Sequence, residues 1–238
     1  MGRGQLGRPA ADRAQQVHRQ RPRTDPGLQH PGAGEDVAVV HDLRGPRPEV
    51  RDSMARFAAR GFLTVAPDLY TRGGVARCIT RTLWSMLTRE GPSVQDLTAA
   101  HDLLAARPDC TGRIGIVGFC MGGGFALVMG TKGFDASAPF YPTIPPVYES
   151  IARDSCPVVA SYGSRDIWNP GSGPRLRRSL ERHGVAHDVK VYPGVGHSFA
   201  NDLPNQPLQR IIGFGRDDAA TEDAYGRVLA FFETALQS

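Results

Sequence analysis

Residues 115–127 read "GIVGFCMGGGFAL", and the fold turns on how this stretch is divided. Ile114, Ile116, Val117 and Phe119 form a short apolar run of the kind that makes a fully buried strand. Phe125 to Met129 read as the opening of a helix. Cys120 therefore falls at a strand-to-helix turn. Gly118, Cys120 and Gly122 have the spacing of a GxSxG nucleophile elbow with sulfur in place of oxygen. Small flanking residues let such a turn be sharp enough to present one side chain above a sheet.

Outward from this turn the chain alternates apolar runs of strand length with segments of helical period. The pattern predicts strands near 37–41, 62–66, 113–119, 135–140, 157–162 and 187–192. Helices are expected near 48–60, 93–106, 121–130, 147–153, 174–183 and 218–236. Six strands each followed by a helix predict an α/β fold with a doubly wound, mostly parallel sheet, in which ligands bind beyond the carboxyl ends of the strands. Residues 36–238 are expected to form a single domain. Residues 1–35 show neither period 2 nor period 3.6 and are rich in Arg, Pro and Gly, so they read as a disordered tail without an edge strand.

Charge supports this division. Of 28 basic residues only Lys132 and Lys190 are lysines, and the net charge of +4 is local. Residues 1–31 carry six Arg against Asp12 and Asp25, which leaves the rest near neutral. The basic balance is thus no footprint of a nucleic-acid partner. No run approaches the roughly 18 apolar residues of a membrane span, and no apolar segment follows the early arginines. Cys78, Cys110, Cys120 and Cys156 lack metal-type spacing and read as reduced thiols, so a cytoplasmic protein is expected.

The residues just after the strands carry the chemistry. Cys120 follows the third strand; "YGSRDIWNP", with Asp166, follows the fifth; "YPGVGHSFAND", with His197, follows the sixth. Nucleophile, acid and histidine appear in the chain order of an α/β-hydrolase. His197 is expected to take the thiol proton, Asp166 to orient the imidazole, and the helix start at Met121 to favour the thiolate. Each residue also has a plainer reading: a small buried hydrophobe for Cys120, a turn cap for Asp166, a solvated loop residue for His197.

From about Val37 onward the chain resembles the dienelactone hydrolase family, through "GFCMGG", "GSRDIWNP", "PGVGHSF" and "APDLY" at 66–70. The resemblance implies hydrolysis of a small ester or lactone through a Cys120, His197, Asp166 triad and an acyl-enzyme, without a cofactor. It implies an oxyanion hole from the backbone N–H groups of Met121 and Leu43. In "VVHDLRG" (39–45), Asp42 stands where the family has a glutamate that accepts a hydrogen bond from the resting thiol; a structural role in the loop is the alternative. Arg72 and Tyr141 are candidates to line the pocket or to serve structure alone. Asn201 stands where an arginine of the family's dienelactone-cleaving members binds the substrate carboxylate, which weakens the expectation of a carboxylated substrate. Specificity is expected in loops at 71–92 and 141–150, and the oligomeric state is not legible.

Other patterns fail. The glycines at 122–124 lack a GK[ST] ending and spell no GxGxxG. His183 and His187 are four apart, but Gly184 interrupts the helix between them, so no metal site is expected. The rival class is a binding or redox-sensing protein that keeps the fold and uses Cys120 as a reactive thiol. Paired Asp and His residues are superfluous to such a sensor, which favours the enzyme.

Overall fold

A computed structural model describes residues 18–20, 34–143 and 147–237. Among the described residues seven strands form one sheet: β1 (His18–Gln20), β2 (Gly34–Val40), β3 (Leu63–Ala66), β4 (Cys110–Phe119), β5 (Ala136–Phe140), β6 (Val158–Gly163) and β7 (His187–Tyr192). Their spatial order is β1-β3-β2-β4-β5-β6-β7. All neighbours pair in parallel except β1, which runs antiparallel to β3 with His18 opposite Ala66 and Gln20 opposite Thr64. The helices are α1 (Pro48–Ala58), α2 (Val75–Thr88), α3 (Pro92–Ala105), α4 (Met121–Met129), α5 (Tyr148–Ala152), α6 (Ser172–Arg182), α7 (Gln206–Ile211) and α8 (Asp218–Ala235).

The central strands are apolar on both faces because helices cover both. Val37, Val39, Val117 and Phe119 face α1 and α8, where Met54, Phe57, Tyr225, Val228 and Phe232 complete one core. Ala38, Val40, Ile114 and Ile116 point the other way, onto Cys78, Met86, Leu97, Leu104 and Phe125 of α2, α3 and α4. This is the period-2 alternation of a strand. Burial of each aromatic ring stabilises by roughly 1.5–3 kcal/mol. Gly115 makes room for one of them, since a Cβ there would lie 2.6 Å from the Phe232 ring.

Two expectations need correction. Residues 71–92 are not a loop, because α2 occupies 75–88. Its buried face is Cys78, Thr82, Ser85 and Met86, too polar a stripe to stand out, and Val75, Ile79, Thr80 and Trp84 are weak helix formers. The N-terminal segment also contributes an edge strand, β1, at 18–20. Three residues pairing through the backbone leave no alternation to read. The remainder of the expected tail, 1–17 and 21–33, lies outside the described residues.

Candidate active site

The turn after β4 is built by close backbone approach. A Cβ on Gly118 would lie 2.0 Å from the Gly122 carbonyl oxygen, and one on Gly122 would lie 2.4 Å from the Val40 oxygen and 2.5 Å from that of His41. Only glycine fits, and the approach brings the end of β2 against the start of α4. Between them Cys120 takes φ 53°, ψ −114°. A left-handed φ on a non-glycine residue costs of order 1–3 kcal/mol and persists where the surroundings enforce it. Here the Cys120 N–H donates to Phe140 O at 3.1 Å, while its carbonyl accepts from Gly124 N at 3.1 Å and Thr143 N at 3.0 Å.

Asp166 lies in the turn after β6, and all four of its side-chain hydrogen bonds are local to the site. Oδ1 accepts from the backbone N–H groups of Trp168 (2.9 Å) and Asn169 (3.2 Å). Oδ2 accepts from Asn169 Nδ2 at 2.9 Å and from His197 Nδ1 at 2.8 Å. His197 lies in the loop after β7, where its N–H donates to Gly213 O at 2.6 Å and its carbonyl accepts from Gly215 N at 3.2 Å. Tyr141 meets the imidazole edge-on at 5.0 Å between centroids, and the half-exposed Trp168 stacks on it at 5.4 Å.

Burial alone would lower the His197 pKa, but the Asp166 hydrogen bond, then Cys120, outweigh it and hold the group at about 9. Burial likewise opposes ionisation of Asp166, yet its hydrogen bond and ion pair with His197 and the Asn169 and Trp168 donors draw its pKa down. The imidazolium is therefore the resting form at neutral pH. Its Nδ1 is committed to Asp166, while Nε2 is buried without a hydrogen-bond partner among the described residues. Cys120 supplies the remaining upward influence on this ring.

The other predicted residues are placed as follows. Leu43 and Met121 are tied together by Tyr70, whose hydroxyl donates to Leu43 O at 3.1 Å and lies 3.7 Å from Met121 Sδ. His41, kept neutral by burial against its backbone and carboxylate partners, accepts the Leu69 N–H at 3.1 Å and bonds Asp42 O through Nδ1 at 2.7 Å. This pins the 41–43 loop to the turn after β3. The Asp42 carboxylate binds Arg44 and Asn201, and Cys120 Sγ instead bonds Thr143 Oγ1 at 3.5 Å. Asn201 is buried and donates to Asp42 Oδ2 at 2.9 Å. Tyr141 is wholly buried at φ 37°, and its hydroxyl has no hydrogen-bond partner among the described residues. Arg72 is not joined to this group, because both terminal nitrogens of its guanidinium bond Asp96.

Asn169, Tyr70, His41 and Thr143 were not singled out from the sequence. Tyr70, Asn169 and His41 nevertheless lie within stretches that carried a signal, "APDLY", "GSRDIWNP" and "VVHDLRG", and Thr143 lies in the 141–150 segment expected to set specificity. Among the described residues no group of three or more His, Cys, Asp or Glu side chains is arranged to hold a metal ion.

A doubly wound sheet with a strained cysteine elbow and an Asp–His pair at the strand ends defines the α/β-hydrolase class. The dienelactone hydrolase family model matches residues 28–236, and the chain belongs to that family of carboxylic ester hydrolases. A relative from Rhodococcus opacus named carboxymethylenebutenolidase is 28% identical over 222 residues, covering 86% of this chain and 83% of its own. Among solved structures, a dienelactone hydrolase-like promiscuous phosphotriesterase from metagenomic libraries superposes with a TM-score of 0.73 at 21% identity, over 86% of this chain and 88% of that one. Est1E from Butyrivibrio proteoclasticus, bound to ferulic acid, gives 0.62 at 15% identity, over 92% and 95%.

Proposed function

We propose that this chain is a cysteine-dependent hydrolase of small esters or lactones. Cys120, its proton already passed to His197 Nε2 in the resting enzyme, attacks the acyl carbon as a thiolate. The tetrahedral oxyanion is received by the N–H groups of Met121 and Leu43, neither of which has an acceptor among the described residues. Such donors are worth about 10²–10³ in rate each. The imidazolium then protonates the leaving alcohol, and the neutral ring draws a proton from the water that deacylates Cys120. Asp166 holds the ring in one orientation throughout.

The observation that carries this reading is the buried His197, influenced by Cys120 in a strained elbow, with Nδ1 on Asp166 and an Nε2 that has no hydrogen-bond partner among the described residues. Substrate choice follows from Asn201. It supplies no cation, and Arg44, which shares Asp42 with it, is committed to Asp42 and Glu49. We therefore assign neutral esters and lactones as substrates at least as good as carboxylated lactones. The four cysteines are free, in keeping with a reducing compartment, and no helix among the described residues is long and apolar enough to cross a membrane. The test is a panel of aryl esters, enol lactones and their carboxylated analogues on the purified protein and its Cys120→Ala variant. Turnover of neutral members by the wild type alone is expected; equal turnover by Cys120→Ala would refute the reading.

A further inference from the structure

The glycine run does more than form the elbow. Gly122 clears the end of β2, but Gly123 and Gly124 clear a different segment, the chain leaving β5. A Cβ on Gly123 would lie 2.8 Å from Phe140 O and 3.0 Å from the Pro142 Cα, and one on Gly124 would lie 2.5 Å from Thr143 O. The first turn of α4 is thereby pressed against Pro142 and Thr143, and the Thr143 N–H reaches the Cys120 carbonyl at 3.0 Å. That main-chain bond clamps Thr143 onto the residue whose side chain it touches. Its hydroxyl lies 3.5 Å from Cys120 Sγ and has no other hydrogen-bond partner among the described residues.

Asp42 is turned to other partners. Oδ1 accepts from the Arg44 N–H at 2.8 Å; Oδ2 accepts from Arg44 Nε at 2.9 Å and Asn201 Nδ2 at 2.9 Å, with Arg44 Nη2 at 2.8 Å. Arg44 and Asn201 thus engage both oxygens of this carboxylate, and none of its hydrogen bonds reaches Cys120. We propose that Thr143 is a catalytic residue, whose hydroxyl donates to the Cys120 sulfur and, with His197 Nε2–H, holds it as a thiolate before substrate arrives. The proposal rests on Cys120 being the nucleophile.

In the resting step the S–H bond breaks, an Nε2–H bond forms, and Thr143 keeps its own proton. The sulfur then faces two donors and the amino end of α4. The other titratable groups around it stay uncharged or engaged. Burial pushes Tyr70 up to about 12 and Tyr141 well above the usual phenol range; Asp42 is held by Arg44 and Asn201, and Asp166 lies behind the imidazole.

The test uses the full chain carrying Thr143→Val, which keeps the shape and removes the hydroxyl, and Thr143→Ser, which restores it. The rate of iodoacetamide alkylation at Cys120, read by peptide mass spectrometry across pH, gives the thiolate midpoint. Loss of one hydrogen bond to a charged sulfur should raise that midpoint by about one pH unit and lower kcat/KM for an aryl ester roughly tenfold at pH 6. Thr143→Ser should return both to within about threefold of wild type. Should Thr143→Val fail to fold by circular dichroism, Thr143→Ala carries the same expectation. The proposal is overturned by an unchanged midpoint, by a serine variant as impaired as valine, or by a shift from Asp42→Asn with none from Thr143→Val. An unchanged midpoint with an inactive Cys120→Ala would sink Thr143 alone, whereas an active Cys120→Ala would sink the nucleophile assignment.

Discussion

The same methyl group added at Gly118 and at Gly226 should have opposite effects. At Gly118 the new Cβ would lie 2.0 Å from the Gly122 oxygen, 2.3 Å from its carbonyl carbon and 2.8 Å from Gly123 N. Cβ contacts below 3.0 Å essentially do not occur, and all three atoms are backbone. The elbow must therefore open by about 1 Å, a displacement that costs on the order of 10²-fold in rate when it falls on a reacting group. Overpacking of this kind also destabilises by roughly 1–3 kcal/mol. At Gly226, exposed in α8, a Cβ would meet nothing within 4 Å. There alanine gains about 0.4–1 kcal/mol from helix propensity and a less flexible unfolded chain. For a chain of this size that raises Tm by roughly 1–4 °C. Ester kinetics beside thermal unfolding would separate the two outcomes. A Gly118→Ala enzyme with wild-type kcat/KM and Tm would refute the argument that close approach shapes the elbow.

Three further perturbations test other parts of the account. Asp36 is buried in β2 with Oδ2 unpartnered among the described residues, and burial raises its pKa to about 6 against the opposing Cys110 and Arg107. Its stabilising contribution is complete below about pH 4 and lost as pH rises through about 6, so Asp36→Asn should gain up to about 3 kcal/mol over wild type in urea unfolding at pH 7.5 and nothing at pH 3.5. A difference independent of pH would refute this. Because His197 is the acid for the leaving group, kcat/KM should fall as pH rises through about 9, in a profile from pH 6 to 10.5; an unbroken rise to pH 10.5 would count against the imidazolium. Asn169→Ala should cut kcat roughly tenfold with KM little changed, since Asn169 holds Asp166 Oδ2 beside His197; an unchanged kcat would show that the backbone donors suffice.

What could be read from the sequence was whatever rests on local pattern. The carboxyl halves of β2 and β4, Val37–Val40 and Ile114–Phe119, are buried on both faces and appear as apolar runs, and Cys120, Asp166 and His197 each follow a strand, so their common edge could be foreseen. β1 could not, because it owes its pairing to the backbone of β3. Nor could α2, whose buried side is Cys78, Thr82, Ser85 and Met86. The contacts that distinguish this site from a generic elbow are long-range. Asn201 reaches Asp42 across 159 residues, and Thr143 reaches Cys120 across 23. Only packing decides such pairs, and a periodicity cannot report them.

The central claim is that the acyl group passes through Cys120. Rapid acid quench of the enzyme with an excess of an aryl acetate, followed by mass spectrometry of the intact protein and its peptides, tests it most directly. The account predicts an added mass of one acetyl group, about 42 Da, on the peptide carrying Cys120, formed within the first turnover and absent from Cys120→Ala. Full turnover with no adduct on Cys120, or an adduct that persists on another residue in Cys120→Ala with activity retained, would contradict it.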